Sequence, residues 1–222
     1  MKNIDFARHD TDLYPVLAQA SDDEKAFLAE ILAAKSTSRL SKSERDPLKL
    51  AIELQIMGGD SLMNLLRRRG VSYRQIVIDV ASKLNIQSDK HDDIMKIEER
   101  IAEKVIADYK QKLSDTQRTE FEALLRESLN EQKLRLGIKS AAARGAGGMM
   151  PALMAVGGFM LKRGAVNAIP VAGQFLGLLT GVMGIIFAFT GTAYRVTIPA
   201  VLIIGTIRAR LMTEQYSAEI DL

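Results

Sequence analysis

Through the first 131 residues, apolar positions recur at intervals of three and four, the spacing of helices that bury one face. Leu13, Val16, Leu17 and Ala20 form a first stripe, and Phe27, Leu28, Ile31 and Leu32 a second. Between them Ser21-Asp22-Asp23-Glu24 is a capping-box pattern, in which Ser21 and Glu24 satisfy each other's backbone donors. Two helices this short bury too little to stand alone, so a module over residues 1–35 must dock on the rest of the chain or on a partner. Residues 36–46 are polar and serine-rich and read as a linker. Asp46-Pro47 opens the next helix well, with proline in the first turn, and Leu50, Ala51, Leu54 and Met57 lead to a glycine pair, Gly58-Gly59, suited to a left-handed stop. Asp60 or Ser61 caps a further helix carrying Leu62, Leu65 and Leu66, which ends at Arg67-Arg68-Arg69-Gly70. After the Ser72/Gln75 box, Tyr73, Ile76, Val77, Val80 and Leu84 fall on one buried stripe. Two longer helices follow, one over 92–113 with Ile94, Ile97, Ile101 and Val105 inward, the other from the Ser114/Gln117 box with Phe121, Leu124, Leu125 and Leu129. Nothing in this front part alternates as a strand does. The expectation is an all-α fold whose amphipathic multi-helix domain spans 46–135.

The pattern then changes. Residues 145–207 contain three charges, Lys162, Arg163 and Arg195, no carboxylate, and twelve of the chain's 16 glycines. The sequence therefore predicts a glycine-rich hydrophobic helical module over 145–212, either inserted in a membrane or folded as a buried hairpin. Its longest run, 164–194, is uncharged, and 171–190 matches the roughly 20 residues a bilayer core demands. The run 196–207 has only 12 residues and contains Pro199, short for a span. Within the long run Gly173, Gly177 and Gly181 repeat every fourth residue, with Phe175 and Leu179 between them, a face that admits another helix closely. Each helical glycine costs about 1 kcal/mol against alanine, so three on one face imply a packing contact that offsets the cost. Arg195, between two apolar runs, is either an interfacial anchor or the buried partner of an acidic residue in the front domain.

Charge sharpens the division. Residues 1–131 carry 24 acids and 21 bases, whereas 132–212 carry nine bases and no acid. A basic apolar rear suits an anionic lipid surface better than nucleic acid, since no aromatic stacking platform accompanies its cations. The absence of cysteine removes disulfides, thiol catalysis and cysteine–zinc sites. The opening residues have no apolar core of a secretory signal, so the expected place is the cytoplasm, or the cytoplasmic membrane as a peripheral or inserted protein.

Candidate chemistry is sparse. Gly58-Gly59-Asp60-Ser61 lacks the glycine, lysine and hydroxyl spacing of a phosphate loop. With two histidines in the chain no metal set can be assembled, and Asp92 and Asp93 beside His91 read as an acidic helix start. Arg67 to Arg69 read as cations complementing a helix end. Asp60, Asn64, Arg67, Tyr73 and Arg74 remain as candidates for contacting a protein partner. No catalytic residue, cofactor site or metal site is expected, and so no enzymatic activity.

Two stretches, GGDSLMNLLRRRGVSYRQIVIDVASKL at 58–84 and AYRVTIPAVL at 193–202, resemble the bacterial YaaW family, which is distantly similar to the ubiquinol–cytochrome c chaperone domain. The opening DLYPVLAQASDDEKAFLAEIL resembles the short helical module at the front of that family. Together these motifs cover about a quarter of the chain and do not include 149–191, so no membrane role is carried over. The resemblance implies a bacterial all-helical protein with no established enzymatic activity, and by analogy a chaperone-like role. The residues themselves lead to a membrane-associated interaction or assembly protein that binds lipid and a protein partner or further copies of itself. The alternative is a membrane-perturbing or pore-forming effector kept soluble until its apolar hairpin is released.

Overall fold

The computed structural model describes residues 2–34, 38, 40–58, 70–135 and 194–220, which form eight helices and, among the described residues, no strand. In chain order they are α1 (Lys2–Arg8), α2 (Tyr14–Ala18), α3 (Asp22–Ala33), α4 (Pro47–Gly58), α5 (Tyr73–Lys83), α6 (Ile94–Lys110), α7 (Asp115–Arg135) and α8 (Tyr194–Ile220). The fold is all-α. The glycine-rich stretch with Gly173, Phe175, Gly177, Leu179 and Gly181, and the helix expected to carry Leu62, with Asp60, Asn64 and Arg67, lie outside the described residues.

Most helix starts are the expected ones, because each has a side chain that takes up orphan backbone donors. The Ser21 hydroxyl accepts from the Glu24 amide at 3.2 Å while the Ser21 amide donates to the Glu24 carboxylate at 2.8 Å. Ser72 accepts from the Gln75 amide, Asp93 from the Met95 amide and Asp46 from the Leu48 amide. At Ser114 the Gln117 side chain returns the bond, as in a full capping box.

Two local features go beyond the sequence pattern. Residues 2–8, ahead of the first stripe at Leu13, are helical, and Ala7 is buried because α1 lies along α4. A seven-residue helix gets its stability from that docking and carries no signal of its own. Gly59, one half of the expected stop, lies outside the described residues, while Gly58, the last residue of α4, has no left-handed φ and its need for glycine is spatial. A Cβ there would stand 2.5 Å from Cγ1 of Ile76 on α5. A left-handed stop is found at Asn85 after α5 (φ 59°), where the Ile86 amide donates back to the Ala81 carbonyl at 2.8 Å.

The tertiary arrangement turns on the last helix. α8 packs against α2, α3, α4, α5 and α6, and residues 196–207 are buried on every side of the helix. The stripes of α2, α3, α4, α5 and α6 supply the surrounding layer, among them Leu17, Leu28, Leu32, Leu54, Ile76, Val77, Ile97 and Ile101. Residues 195–215 would be long and apolar enough to cross a membrane, yet 78% of their 18-residue apolar window is buried inside the protein. α8 is a core helix, wrapped by the amphipathic front. α7 docks by Phe121, whose ring meets Tyr109 of α6 edge-on with centroids 4.6 Å apart.

Candidate functional site: the polar network around the last helix

Beyond residue 207 the apolar run of α8 gives way to Arg208 and Arg210. Residues two apart on a helix point about 200° from one another. The two guanidinium groups therefore leave α8 on opposite sides. Arg208 reaches α6, donating from Nε to Glu98 Oε2 at 3.0 Å, and also donates to the backbone carbonyl of Asp12. Arg210 reaches α3, gripping both oxygens of Glu24 at 2.9 Å in a fork, and holds Glu214 one turn along its own helix.

Glu98 is wholly buried (0% exposed) and Arg208 nearly so (12%). The carboxylate occupies the apolar stripe of α6, four residues after Ile94 and beside Ile97 and Ile101. Its other hydrogen bond comes from the Tyr73 hydroxyl, donating to Oε1 at 2.7 Å, and the Arg208 guanidinium lies 5.8 Å from the Tyr73 ring centroid. Burial pushes the Glu98 carboxyl above the usual carboxylate range, with the Arg208 cation and the Tyr73 hydroxyl pulling the other way. Burial, reinforced by the Glu98 charge, drives the Tyr73 phenol well above its ordinary value.

A second ring of contacts ties the front loop to the same place. Asp10 Oδ2 accepts from the Tyr73 amide and from Gln55 Nε2, both at 2.8 Å, which sets a carboxylate at the positive end of α5. Asp12 pairs with Arg74 Nε at 2.9 Å, and Arg74 also donates to the carbonyls of Asp92 (2.7 Å) and Lys90 (3.3 Å). Arg100 fixes that same loop through the Asp92 carboxylate and the Gln87 carbonyl. The Arg100 hydrogen bond holds Asp92 below its ordinary range.

Tyr73 and Arg74, expected to face a partner, are thus spent internally: Tyr73 is fully buried and Arg74 bridges two loops. Arg195 stands exposed in the first turn of α8. The pairing with front-domain acids that its position suggested is made by Arg208 and Arg210 instead. Glu98 was legible as an acid on an apolar stripe, and Arg208 and Arg210 as an Arg-x-Arg closing a buried run. Among the described residues no group of His, Cys, Asp and Glu could hold a metal ion, and no buried side-chain polar atom lacks a hydrogen-bond partner. Chemically the network is saturated by its own members, so its work is to fix α8 against α3, α5 and α6.

The chain is similar along nearly its whole length to the UPF0174 protein YaaW of Escherichia coli strain K12, at 33% identity over 96% of this chain and 99% of the relative. It is also similar to a UPF0174 protein of Helicobacter pylori strain J99, at 26% identity over 92% of this chain and 87% of the relative. The likeness therefore extends well beyond the two motifs and the opening module that first suggested it. No family model matches the chain, and no solved structure matches it.

Proposed function

This chain belongs to the YaaW family, UPF0174, and from that premise we propose that it is a non-enzymatic, membrane-associated interaction or assembly protein. The helical body of α1 to α8 would hold a protein partner or a second copy. The charge-poor sequence between α7 and α8 would engage lipid at the cytoplasmic membrane. One observation supports this above the others. The apolar run 196–207, which composition groups with the rear module, is consumed as the central helix of the body. The body's core thus has its own central helix, while the uncharged run 164–194 is longer and richer in glycine than that core helix. An uncharged run of that length has the composition and length that a bilayer accepts, and Gly173, Gly177 and Gly181 suit close contact between helices there.

The test is the behaviour of the full chain in cells. Membranes washed with alkaline carbonate should retain it, and a variant with Leu179→Arg and Gly181→Arg should be released. Complete release of the unmodified chain would sink the proposal.

A further inference from the structure

The run 196–207 is apolar on every face of α8, so hydrophobic burial alone sets neither its rotation nor its height in the slot between α3, α5 and α6. The chain also offers that slot a second candidate, since 164–194 is longer, uncharged and predominantly apolar. What distinguishes them is the wall of the slot. Glu98 presents a wholly buried carboxylate on one side and Glu24 a nearly buried one on the other. An uncharged helix in that place would leave both carboxylates buried without a counter-charge, which strongly disfavours it. α8 meets them with Arg208 and Arg210, whose spacing of two residues turns one guanidinium to α6 and the other to α3 at one level of the helix. Nowhere in 164–194 is there any charge, and the cations just before it, Lys162 and Arg163, are adjacent and not two apart.

We propose that Glu98 and Glu24 form a register key, which admits to the central slot only an apolar helix ending in Arg-x-Arg and so holds α8 there in one position. The pairs then serve selectivity more than stability. Buried ion pairs often give little net stabilisation over apolar replacements, while a single buried polar group can fix the register of a helix.

The experiment uses the full chain with the slot neutralised by Glu24→Gln, Glu98→Gln, Arg208→Met and Arg210→Met together, the amide at position 98 keeping an acceptor for the buried Tyr73 hydroxyl. Methyl NMR reads the δ1 groups of Ile198, Ile203, Ile204 and Ile207, all buried in α8. In the unmodified chain each should give one sharp signal. In the neutral-slot variant the melting temperature should hold or rise while these signals split or broaden away. Single sharp signals in that variant would overturn the proposal, because apolar packing would then set the register unaided. Failure of the variant to fold would overturn it too, since the pairs would then be stabilisers in the ordinary sense. A chain with the first pair exchanged, Glu98→Arg with Arg208→Glu, should return one set of signals, and splitting that persists there would also count against the key.

Discussion

At the scale of single residues the contrast between Arg208 and Glu98 is the most informative. Arg208→Met leaves a buried carboxylate whose one remaining donor is Tyr73, and should cost about 3–5 kcal/mol in chemical denaturation at neutral pH. Glu98→Gln keeps an acceptor for Tyr73 and for Arg208 and should cost far less, within about 1.5 kcal/mol. The pH dependence has a definite sign. The folded Glu98 carboxyl titrates above its unfolded value, so its contribution is fully present below the unfolded value and is lost as pH rises through the folded one. Without Arg208 that upward displacement grows, so the stability deficit of Arg208→Met should shrink as pH falls from neutral towards the usual carboxylate range. A deficit constant over that range would show that Glu98 is not the group left stranded. Backbone positions give a second contrast. Asn85→Gly relieves a left-handed conformation and should stabilise by up to about 1 kcal/mol, whereas Asn85→Val should destabilise by about 1–2 kcal/mol. Gly58→Ala pushes a methyl into Ile76 and should destabilise by about 1–3 kcal/mol, although alanine is the better helix former. These thermal melts separate a glycine needed for space from a residue needing left-handed freedom.

At the scale of elements, the amphipathic helices were written plainly in the sequence and the all-round apolar one was not. α3, α5 and α6 carry a cap, a one-sided stripe and a break, and all three signals agree with the structure. α1 escaped because seven residues with one buried alanine leave no periodicity to read. α8 was left open in its surroundings, since 12 apolar residues look alike whether lipid or protein covers them. The capping residues also link elements. Ser21 and Glu24 start α3, and the same Glu24 receives Arg210 from α8. Ser21→Ala should therefore cost about 1 kcal/mol from the lost cap. It should add to Arg210→Leu by less than the sum of the two, because both act through Glu24. Strict additivity in a double-mutant cycle would separate the cap from the clamp.

For the whole molecule, the consequence is that the body is closed by the end of the chain. Burying an isoleucine, leucine or valine contributes about 1.5–3 kcal/mol, so the six such residues at 198, 201, 202, 203, 204 and 207 contribute on the order of 10 kcal/mol. Total stabilities of domains are about 5–15 kcal/mol. A chain ending before Tyr194 should accordingly lose its fixed tertiary packing, seen as near-ultraviolet dichroism lost and dye binding gained, with part of its helix content kept. Native-like packing in that truncated chain would mean that α8 is not the core helix it is taken for here. The network around it was only partly visible beforehand. An acid on an apolar stripe at Glu98 and an Arg-x-Arg after a buried run were both on the page, but pairing them joins positions 110 residues apart. Tyr73 had two readings, one on the buried stripe of α5 and one as a partner contact, and the structure bears out the first; Arg74 drew attention because its type favours partner contacts, and only packing shows it bridging two loops.

The sequence by itself determined what is local: the helical period, the caps at Ser21, Ser72 and Ser114, and the division of composition between a charge-rich front and a glycine-rich, carboxylate-free rear. Those follow from backbone donors that need partners and from side chains that repeat every three or four residues. Tertiary structure alone decided that the run 196–207 is core, that α8 crosses to the front helices, and that Arg208 and Arg210 answer Glu98 and Glu24. Hydrophobicity is non-directional, so it says that a run must be covered and leaves open by what. The covering is chosen by buried charge, and a buried charge is discharged only by a partner that the fold carries to it.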